Sequence, residues 1–210
     1  MNETHAAGYA YGLWPLVATN IALFAGFLFS FARPRTRVEW KSLGLFASFV
    51  VALFVEMYGF PLTIYLLVSW LGNRYPAADP FSHANGHLLG VFFGIRSDHG
   101  TVLHLASNLL IFAGAMLVAR GWSAIHQGQG RLVTTGSYAY IRHPQYLGFI
   151  AIILGFLIQW PTLVTLLMAP ILIIRYIRLA KKEEAEVLKQ YPQEYRAYMD
   201  RVPAWFPKWR

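Results

Sequence analysis

The sequence contains no cysteine, which excludes disulfide bonds, thiolate metal sites and a cysteine nucleophile. Charged side chains are also scarce, at 13% of the residues, whereas soluble domains carry roughly 25%. Acidic residues are the rarer sign: 10 Asp and Glu stand against 18 Lys and Arg in 210 residues, and the formal net charge is +8. So few charges cannot cover the surface of a water-soluble domain of this size.

Apolar residues are abundant instead. They make up 56% of the chain, and aromatic residues alone reach 16%. This composition excludes a disordered chain, because disorder requires low hydrophobicity and high charge. We therefore predict an integral membrane protein.

The apolar residues lie in runs of the length that a bilayer requires, about 20 residues for a helix that crosses it. We predict spans over 13–31, 43–71, 102–118, 146–159 and 162–174, with a kink at Pro61 in the second. Only Trp160 and Pro161 separate the last two runs, so these form a tight helical hairpin. Each is short for a full crossing, but its two ends return to the same side.

The predicted fold is therefore all-α and polytopic, with about five transmembrane helices, a C-terminal helical hairpin and a helical tail. We expect a single integral membrane domain over 1–210. Within it, 13–119 hold the three N-terminal spanning helices, and 120–210 hold a polar loop, the hairpin and the tail. The aromatic segment 202–209 is interpreted as an anchor at the membrane surface.

Basic residues predict the orientation. Of the 18 Lys and Arg, all except Arg74 and Arg96 lie on one side of a five-span arrangement. The positive-inside rule makes that side cytoplasmic. We expect an inner or plasma membrane protein with its N-terminus outside and its C-terminal tail in the cytoplasm. The positive charge then serves topology and attraction to membrane lipids, and no nucleic-acid partner is needed.

The polar residues of 132–148 are unusually dense for a loop that leads into a membrane helix. Pro144 suits the first turn of that helix, where its missing N–H is no loss, and it holds Arg142 and His143 at the membrane surface. One interpretation is that Arg142 reaches to lipid headgroups and the tyrosines form an interfacial belt. The other is a ligand site.

Two adjacent carboxylates, Glu183 and Glu184, follow the fifth span. Such a charge run is usually a solvated helix face with weak ion pairs. Because the hairpin returns to its starting side, however, we expect both glutamates to lie near Arg142 and His143. A guanidinium and a carboxylate at one polar pocket suit a zwitterionic ligand that carries a diol.

The motifs together resemble those of the isoprenylcysteine carboxyl methyltransferase family and its phospholipid methyltransferase relatives. The matching segments are LVTTGSY at 132–138, RHPQYLG at 142–148, Glu183–Glu184, EYRAY at 194–198 and RVP at 201–203. The resemblance covers about residues 122–207. It implies a methyltransferase that uses S-adenosylmethionine without a Rossmann domain, and no G-x-G-x-x-G fingerprint after a strand is present.

Carried over residue by residue, the resemblance predicts a cofactor site. Its expected members are Leu132, Val133, Tyr138, His143, Pro144, Tyr146 and one or the other of Glu183 and Glu184; the chemistry of its guanidinium adds Arg142. Arg142 and His143 are the candidate catalytic residues: Arg142 can hold the carboxylate of the cofactor's methionine, and His143 can bind the cofactor or act as a general base. Arg178 is the expected substrate residue, although Arg175 fits the pattern too. The implied acceptors are a prenylcysteine carboxylate, a lipid amine or a small thiol.

Four histidines fall in the predicted outer region, at His83, His87, His99 and His104. His83 and His87 have the i, i+4 spacing of a helical metal pair. No Cys or Glu accompanies them, so a metal or substrate role and interfacial packing both stay open, and no metal is predicted.

Glu56 lies inside the second span, where a carboxylate costs about 2.5–3.5 kcal/mol at mid-bilayer. We expect it to face the bundle, to pair with Tyr58, His104 or Asn108, and to be a candidate substrate residue. An alternative function is a small transporter or channel with Glu56, His104 and Asn108 as a polar path. A structural membrane subunit is a third possibility.

Overall fold

The computed structural model of the protein describes residues 11–31, 34, 36–77, 80–81, 83–94 and 102–207, and all regular structure among them is helical. The α-helices are α1 (Trp14–Phe31), α2 (Arg37–Phe54), α3 (Leu62–Leu71), α4 (Leu88–Phe93), α5 (Val102–Gln127), α6 (Pro144–Gln159), α7 (Leu163–Gln190) and α8 (Pro192–Arg201). A π-helical turn over Val55–Gly59 continues α2, and 3₁₀ turns cover Gly72–Arg74, His83–Gly86 and Gly136–Ala139. The prediction of an all-α fold is confirmed.

Five of these helices have the apolar character of the predicted spans. Among the described residues, Arg37–Gly59, Val102–Gln127 and Leu163–Gln190 are long and apolar enough to cross a membrane. Trp14–Ser30 and Pro144–Gln159 are apolar but shorter. The polytopic membrane fold is thereby confirmed.

The predicted spans were too short at two places. Helix α5 continues to Gln127 and α7 to Gln190, so at about 1.5 Å per residue they measure about 39 and 42 Å, more than the ~30 Å hydrocarbon core. The first part of the expected helical tail is therefore the second half of α7, and α8 is the rest of it. This charged half, 175–190, extends beyond the apolar half that a membrane would cover.

The second predicted span is two helices rather than one bent helix. The π-helical turn ends with a bond from the Phe60 N–H to the Val55 carbonyl at 2.8 Å. Pro61 then interrupts the backbone ladder because it has no N–H. The side chain of Glu56 closes the break, since its Oε2 accepts a hydrogen bond from the Thr63 N–H at 3.0 Å. The expected kink at Pro61 is thus a complete break.

Helices α5 and α6 form the closest seam of the bundle. A Cβ atom on Gly114 would lie 2.6 Å from the carbonyl oxygen of Gly148, and a Cβ on Gly148 would lie 2.6 Å from that of Gly114. Only glycine permits this approach, as in other membrane helix pairs with small residues at their contact. The seam holds the start of α6 in place, and the polar loop leads directly into that start.

The predicted hairpin of α6 and α7 is present. Thr162 caps α7 through a reciprocal capping box with Thr165, and the Leu163 N–H donates to Thr63 Oγ1 at 2.8 Å. Farther along α7, the buried Tyr176 ring stacks on Phe149 of α6, with centroids 5.5 Å apart. This packing returns the charged half of α7 to the loop that precedes α6.

Candidate functional site

The loop before α6 has a local structure that its sequence explains. Gly136 opens the 3₁₀ turn with a φ of +64°, a left-handed conformation that favours glycine. The turn buries Tyr138, whose carbonyl oxygen accepts a hydrogen bond from the Tyr198 hydroxyl at 2.6 Å. Pro144 starts α6, so His143 and Arg142 stand immediately before the helix.

Glu184 connects these two side chains. Its Oε1 accepts a hydrogen bond from Arg142 Nε at 2.8 Å and lies 2.9 Å from His143 Nε2. The Arg142 and Glu184 side chains are only 12% and 19% exposed, so water screens the pair weakly. The predicted approach of α7 to the loop is therefore realised through hydrogen bonds between side chains 42 residues apart.

Glu183 has a different partner. The Tyr146 hydroxyl, in the first turn of α6, donates to Glu183 Oε1 at 2.7 Å. The two neighbouring glutamates are thus divided, one toward the helix start and the other toward the loop. Neither is merely part of a solvated helix face.

Arg142 also holds the C-terminal segment. Its Nη1 donates to the carbonyl oxygens of Met199 at 3.2 Å and Val202 at 3.0 Å. The backbone N–H groups of Arg142 and His143 donate to the carbonyls of Pro203 and Ala204. The loop and the end of α8 are therefore tied together at four points.

The segment after α8 was predicted to be a membrane-surface anchor, and in part it is not. The Trp205 ring lies 5.4 Å from the His143 ring, centroid to centroid, and packs against the main core. Phe206 is exposed, at 74%, and Pro207 beside it is exposed too. The remainder of the predicted anchor, 208–209, lies outside the described residues.

A cavity of about 290 Å³ lies between the loop, α7 and α8. It is lined by every residue of the predicted cofactor set except Pro144, namely Leu132, Val133, Tyr138, Arg142, His143, Tyr146, Glu183 and Glu184. Pro144 is buried in the start of α6 beside them. The predicted substrate residues lie elsewhere: Arg178 is exposed on α7, and Glu56 is at the break between α2 and α3.

Sequence reasoning missed two further parts of the cavity wall. Thr36 and Glu39 line it from the start of α2, where they form a capping box; the S/T-x-x-E pattern at 36–39 is a recognisable signal for this. Tyr195 and Tyr198 line it from α8. Their i, i+3 spacing places both on one helix face, although nothing local shows which way that face points.

The cavity wall has a mixed chemistry. It carries the carboxylates of Glu39, Glu183, Glu184 and Glu186, the guanidinium groups of Arg131 and Arg142, and several tyrosines. Burial lowers the pKa of His143, opposed by its hydrogen bond to Glu184, and burial raises the pKa of Tyr138 well above its usual value. Both side chains are neutral near pH 7. Such a wall can hold a cationic group, hydroxyl groups and an aromatic ring together.

The i, i+4 spacing of His83 and His87, whose role the sequence leaves open, does not correspond to two positions on one α-helix. His83 belongs to a 3₁₀ turn and His87 precedes α4, so they do not share an α-helical face. The His87 ring packs against His104 at 4.7 Å and Trp160 at 4.6 Å. Among the described residues, no group of three His, Cys, Asp or Glu could hold a metal ion. His99 lies outside them.

Glu56 is not bonded as predicted either. Its hydrogen bond goes to the backbone of Thr63, and not to Tyr58, His104 or Asn108. The Asn108 side chain accepts instead from Gln159 Nε2 at 2.9 Å. The reason is local: the α3 N-terminus created by Pro61 offers Glu56 a backbone N–H only seven residues away.

Comparison with known proteins agrees with the motif resemblance. The sequence model of the isoprenylcysteine carboxyl methyltransferase (ICMT) family matches residues 103–190, which contain α5, the polar loop, α6 and α7. No curated protein and no solved structure matches significantly. The resemblance is confirmed over this segment, and the family supports a membrane methyltransferase in general terms.

Proposed function

We propose that this protein is an integral membrane methyltransferase that uses S-adenosylmethionine and methylates a lipophilic or small acceptor. The observation that carries the proposal is the cavity of about 290 Å³, since the predicted cofactor residues from the loop, α6 and α7, with the exception of Pro144, line it. Its size is near the lower end of small-molecule sites, which run from about 300 Å³.

The wall has groups suited to each part of this cofactor. When bound, the cofactor supplies a methyl group already activated on a sulfonium. Glu183 and Glu184 can accept hydrogen bonds from the ribose hydroxyls, because each uses only Oε1 for its bonds to other described residues. The rings of Tyr138 and Tyr146 can face the adenine or the cationic sulfur.

Arg142 has a divided role in this proposal. Its Nε and Nη1 hold Glu184 and the carbonyls at the end of α8, which leaves Nη2 to bind the carboxylate of the methionine part. A planar guanidinium can serve all of these acceptors at once, whereas an ammonium group cannot. Arg142 thereby couples cofactor binding to the docking of α8.

His143 positions Glu184 and is neutral near pH 7, given its lowered pKa. An anionic acceptor such as a carboxylate or thiolate needs no base. For an amine acceptor, His143 Nδ1 or a Glu183 oxygen can take the proton, because neutral His143 uses its Nε2–H as the donor to Glu184. The segment around α8 forms one wall of the cavity through Tyr195 and Tyr198, and burial of the reacting groups against it strengthens the electrostatic interactions between them.

We further propose that the cavity faces the cytoplasm and the N-terminus lies outside, as the distribution of basic residues predicts. The chain has no cysteine, so a maleimide reagent will label this protein only at a cysteine that is introduced. Asn73→Cys and Lys189→Cys are both at exposed positions. We expect Asn73→Cys to react with an impermeant maleimide in intact cells, and Lys189→Cys to react only after the cells are permeabilised. The opposite pattern would overturn this orientation.

Binding of radiolabelled S-adenosylmethionine to the detergent-purified protein tests the proposed function. We expect saturable, one-to-one binding, and transfer of the label to at least one member of a panel of prenylcysteine, lipid-amine and thiol acceptors. A transporter or a structural subunit would bind no cofactor. Absence of saturable binding in detergent and in lipid nanodiscs would refute the proposal.

A further inference from the structure

Gln145 is a buried polar residue in the wall of the cavity. It is only 6% exposed, and it lines the cavity from the first turn of α6. Its Nε2 is buried and has no hydrogen-bond partner among the residues that the structure describes. A buried donor without a partner costs free energy. Beside a cavity, the missing acceptor can come from a bound ligand.

Gln145 lies on the side of the cavity that α5 forms. A Cβ on Gly121 of α5 would lie 2.7 Å from Gln145 Cγ, so the stem of the glutamine packs on α5 at a glycine. Ile125, one turn farther along α5, lines the cavity. Val133 lines it too and packs at the end of α5, since a Cβ on Gly128 would lie 2.5 Å from Val133 Cγ2. Of these three cavity-lining side chains, only that of Gln145 is polar.

The carboxylates of the cavity wall lie on other elements. Glu183, Glu184 and Glu186 are on α7, and Glu39 is on α2. They suit the cationic sulfonium and the hydroxyl groups of the cofactor. A neutral, flat heterocycle suits apolar walls with a few polar groups that fix its orientation. The α5 side of the cavity therefore suits the adenine ring.

We propose that Gln145 recognises the adenine of the cofactor, with its amide paired to the base edge that carries the 6-amino group. The inference rests on the proposed use of S-adenosylmethionine and adds a residue to which the family resemblance assigns no role. That edge of adenine presents a donor, the 6-amino group, beside a ring-nitrogen acceptor. A glutamine amide presents the matching acceptor and donor side by side.

The amide of Gln145 can turn to face the base at little cost. The terminal torsion of a glutamine side chain is broad and roughly two-fold, so a half-turn exchanges the amide oxygen and nitrogen. Because Nε2 has no partner among the described residues, this rotation breaks no hydrogen bond of the NH₂ group. A base without the 6-amino group would leave the amide unmatched, and such a mismatch is the source of selectivity.

Gln145→Met removes the amide and keeps an unbranched, flexible side chain of similar length. The methylene that packs on Gly121 is retained, and an unpaired buried donor is lost. The ligand-free variant should therefore unfold at the same temperature as the parent or at a higher one. Gln127→Met is the matched control, because Gln127 is exposed at the end of α5 and does not line the cavity.

The test measures the Kd values of S-adenosylhomocysteine and S-inosylhomocysteine for the detergent-purified proteins by isothermal titration calorimetry. These ligands differ only in the base, where a carbonyl replaces the 6-amino group and the adjacent ring nitrogen carries a hydrogen. We expect the parent and Gln127→Met to bind the adenosyl ligand about tenfold more tightly than the inosyl ligand. Gln145→Met should bind the two within about threefold of each other, because only the adenosyl ligand loses a matched pair.

Three results would overturn the assignment. Equal Kd values of the two ligands for the parent would show that nothing recognises the 6-amino group, and this result needs no variant. An unchanged preference in Gln145→Met would assign the recognition to another group. A lower unfolding temperature of ligand-free Gln145→Met, with equal loss of affinity for both ligands, would make Gln145 a structural residue. In each case the parent still binds S-adenosylhomocysteine and the proposed function stands, whereas a parent that binds neither ligand refutes both proposals.

Discussion

Acidic residues lie at the start of α2 and in the π-helical turn that continues it, in very different surroundings. Glu39 and its neighbours across the cavity, Glu183 and Glu184, border about 290 Å³ of open space together with two arginines. Glu56, at about 26 Å along the same helix, is 6% exposed and borders a space of only about 10 Å³. Both are sites where an acidic group in a membrane protein suggests function.

The two surroundings differ in the number of side chains that contact the carboxylate and in the free space beside it. Glu184 has bonds to Arg142 and His143, and an open wall remains beside them for a ligand. Glu56 accepts one backbone N–H, and its Oε1 has no hydrogen-bond partner among the described residues. The small space beside it has room for about one water molecule. A buried carboxylate therefore indicates a binding site only when partners and free volume meet at it.

The largest expected effect is a difference in cofactor affinity between variants of Glu184, in the cavity wall, and Glu56. Glu184→Gln should weaken S-adenosylmethionine binding by about 10- to 150-fold, or ~1.5–3 kcal/mol, because it removes a charged acceptor. Glu56→Gln should change the Kd by less than twofold. Equilibrium dialysis with the purified variants measures both. Equal losses would show that the cavity and the Glu56 site do not differ in their effect on cofactor binding.

Arg142→Lys should weaken S-adenosylmethionine binding by about tenfold, or ~1.4 kcal/mol, because lysine cannot hold Glu184, the α8 carbonyls and a carboxylate together. Decarboxylated S-adenosylmethionine is the control, since it lacks the group that Nη2 should bind. The parent and the variant should bind this analogue with similar, weak affinity. The same loss for both ligands would assign Arg142 to the docking of α8 alone.

At the other end of α2, the expected effect is on stability. Glu56→Leu should lower the free energy of unfolding by about 1 kcal/mol, because the Thr63 N–H loses its acceptor. Glu56→Gln keeps an oxygen at that place and should stay near the parent. Thermal unfolding in detergent compares the two variants. If leucine and glutamine have the same effect, the capping bond contributes no stability.

The smallest expected effect is on how stability depends on pH, through His143 in the cavity wall. Burial lowers the pKa of His143 below its unfolded value of 6.5, so the folded state favours the neutral ring. Its contribution to stability is present above pH 6.5 and is lost as the pH falls toward the lower folded pKa. His143→Gln should flatten this part of the curve of unfolding midpoint against pH, and Glu56→Gln should not.

The positions of the spans, an irregularity at Pro61 and the hairpin were predictable because their signals are local, although the expected kink at Pro61 is a complete break. A long apolar run must satisfy its backbone hydrogen bonds internally in lipid, Pro61 removes an N–H, and Trp160–Pro161 leaves no room for anything but a reversal. The proximity of Glu184 to Arg142 followed from that reversal. The lengths of α5 and α7 could not be predicted in this way, because hydropathy shows where an apolar run ends and a helix can continue beyond that point.

What the sequence by itself determined is thus the helical membrane fold and the side of the bundle on which the loop meets the glutamates. Only the tertiary structure decided that Glu184 takes Arg142 while Glu183 takes Tyr146, that Glu39 joins the cavity, and that Glu56 caps a helix. Hydropathy and backbone geometry act over a few neighbouring residues. The choice of a hydrogen-bond partner depends on small free-energy differences between groups that meet only once the helices have packed.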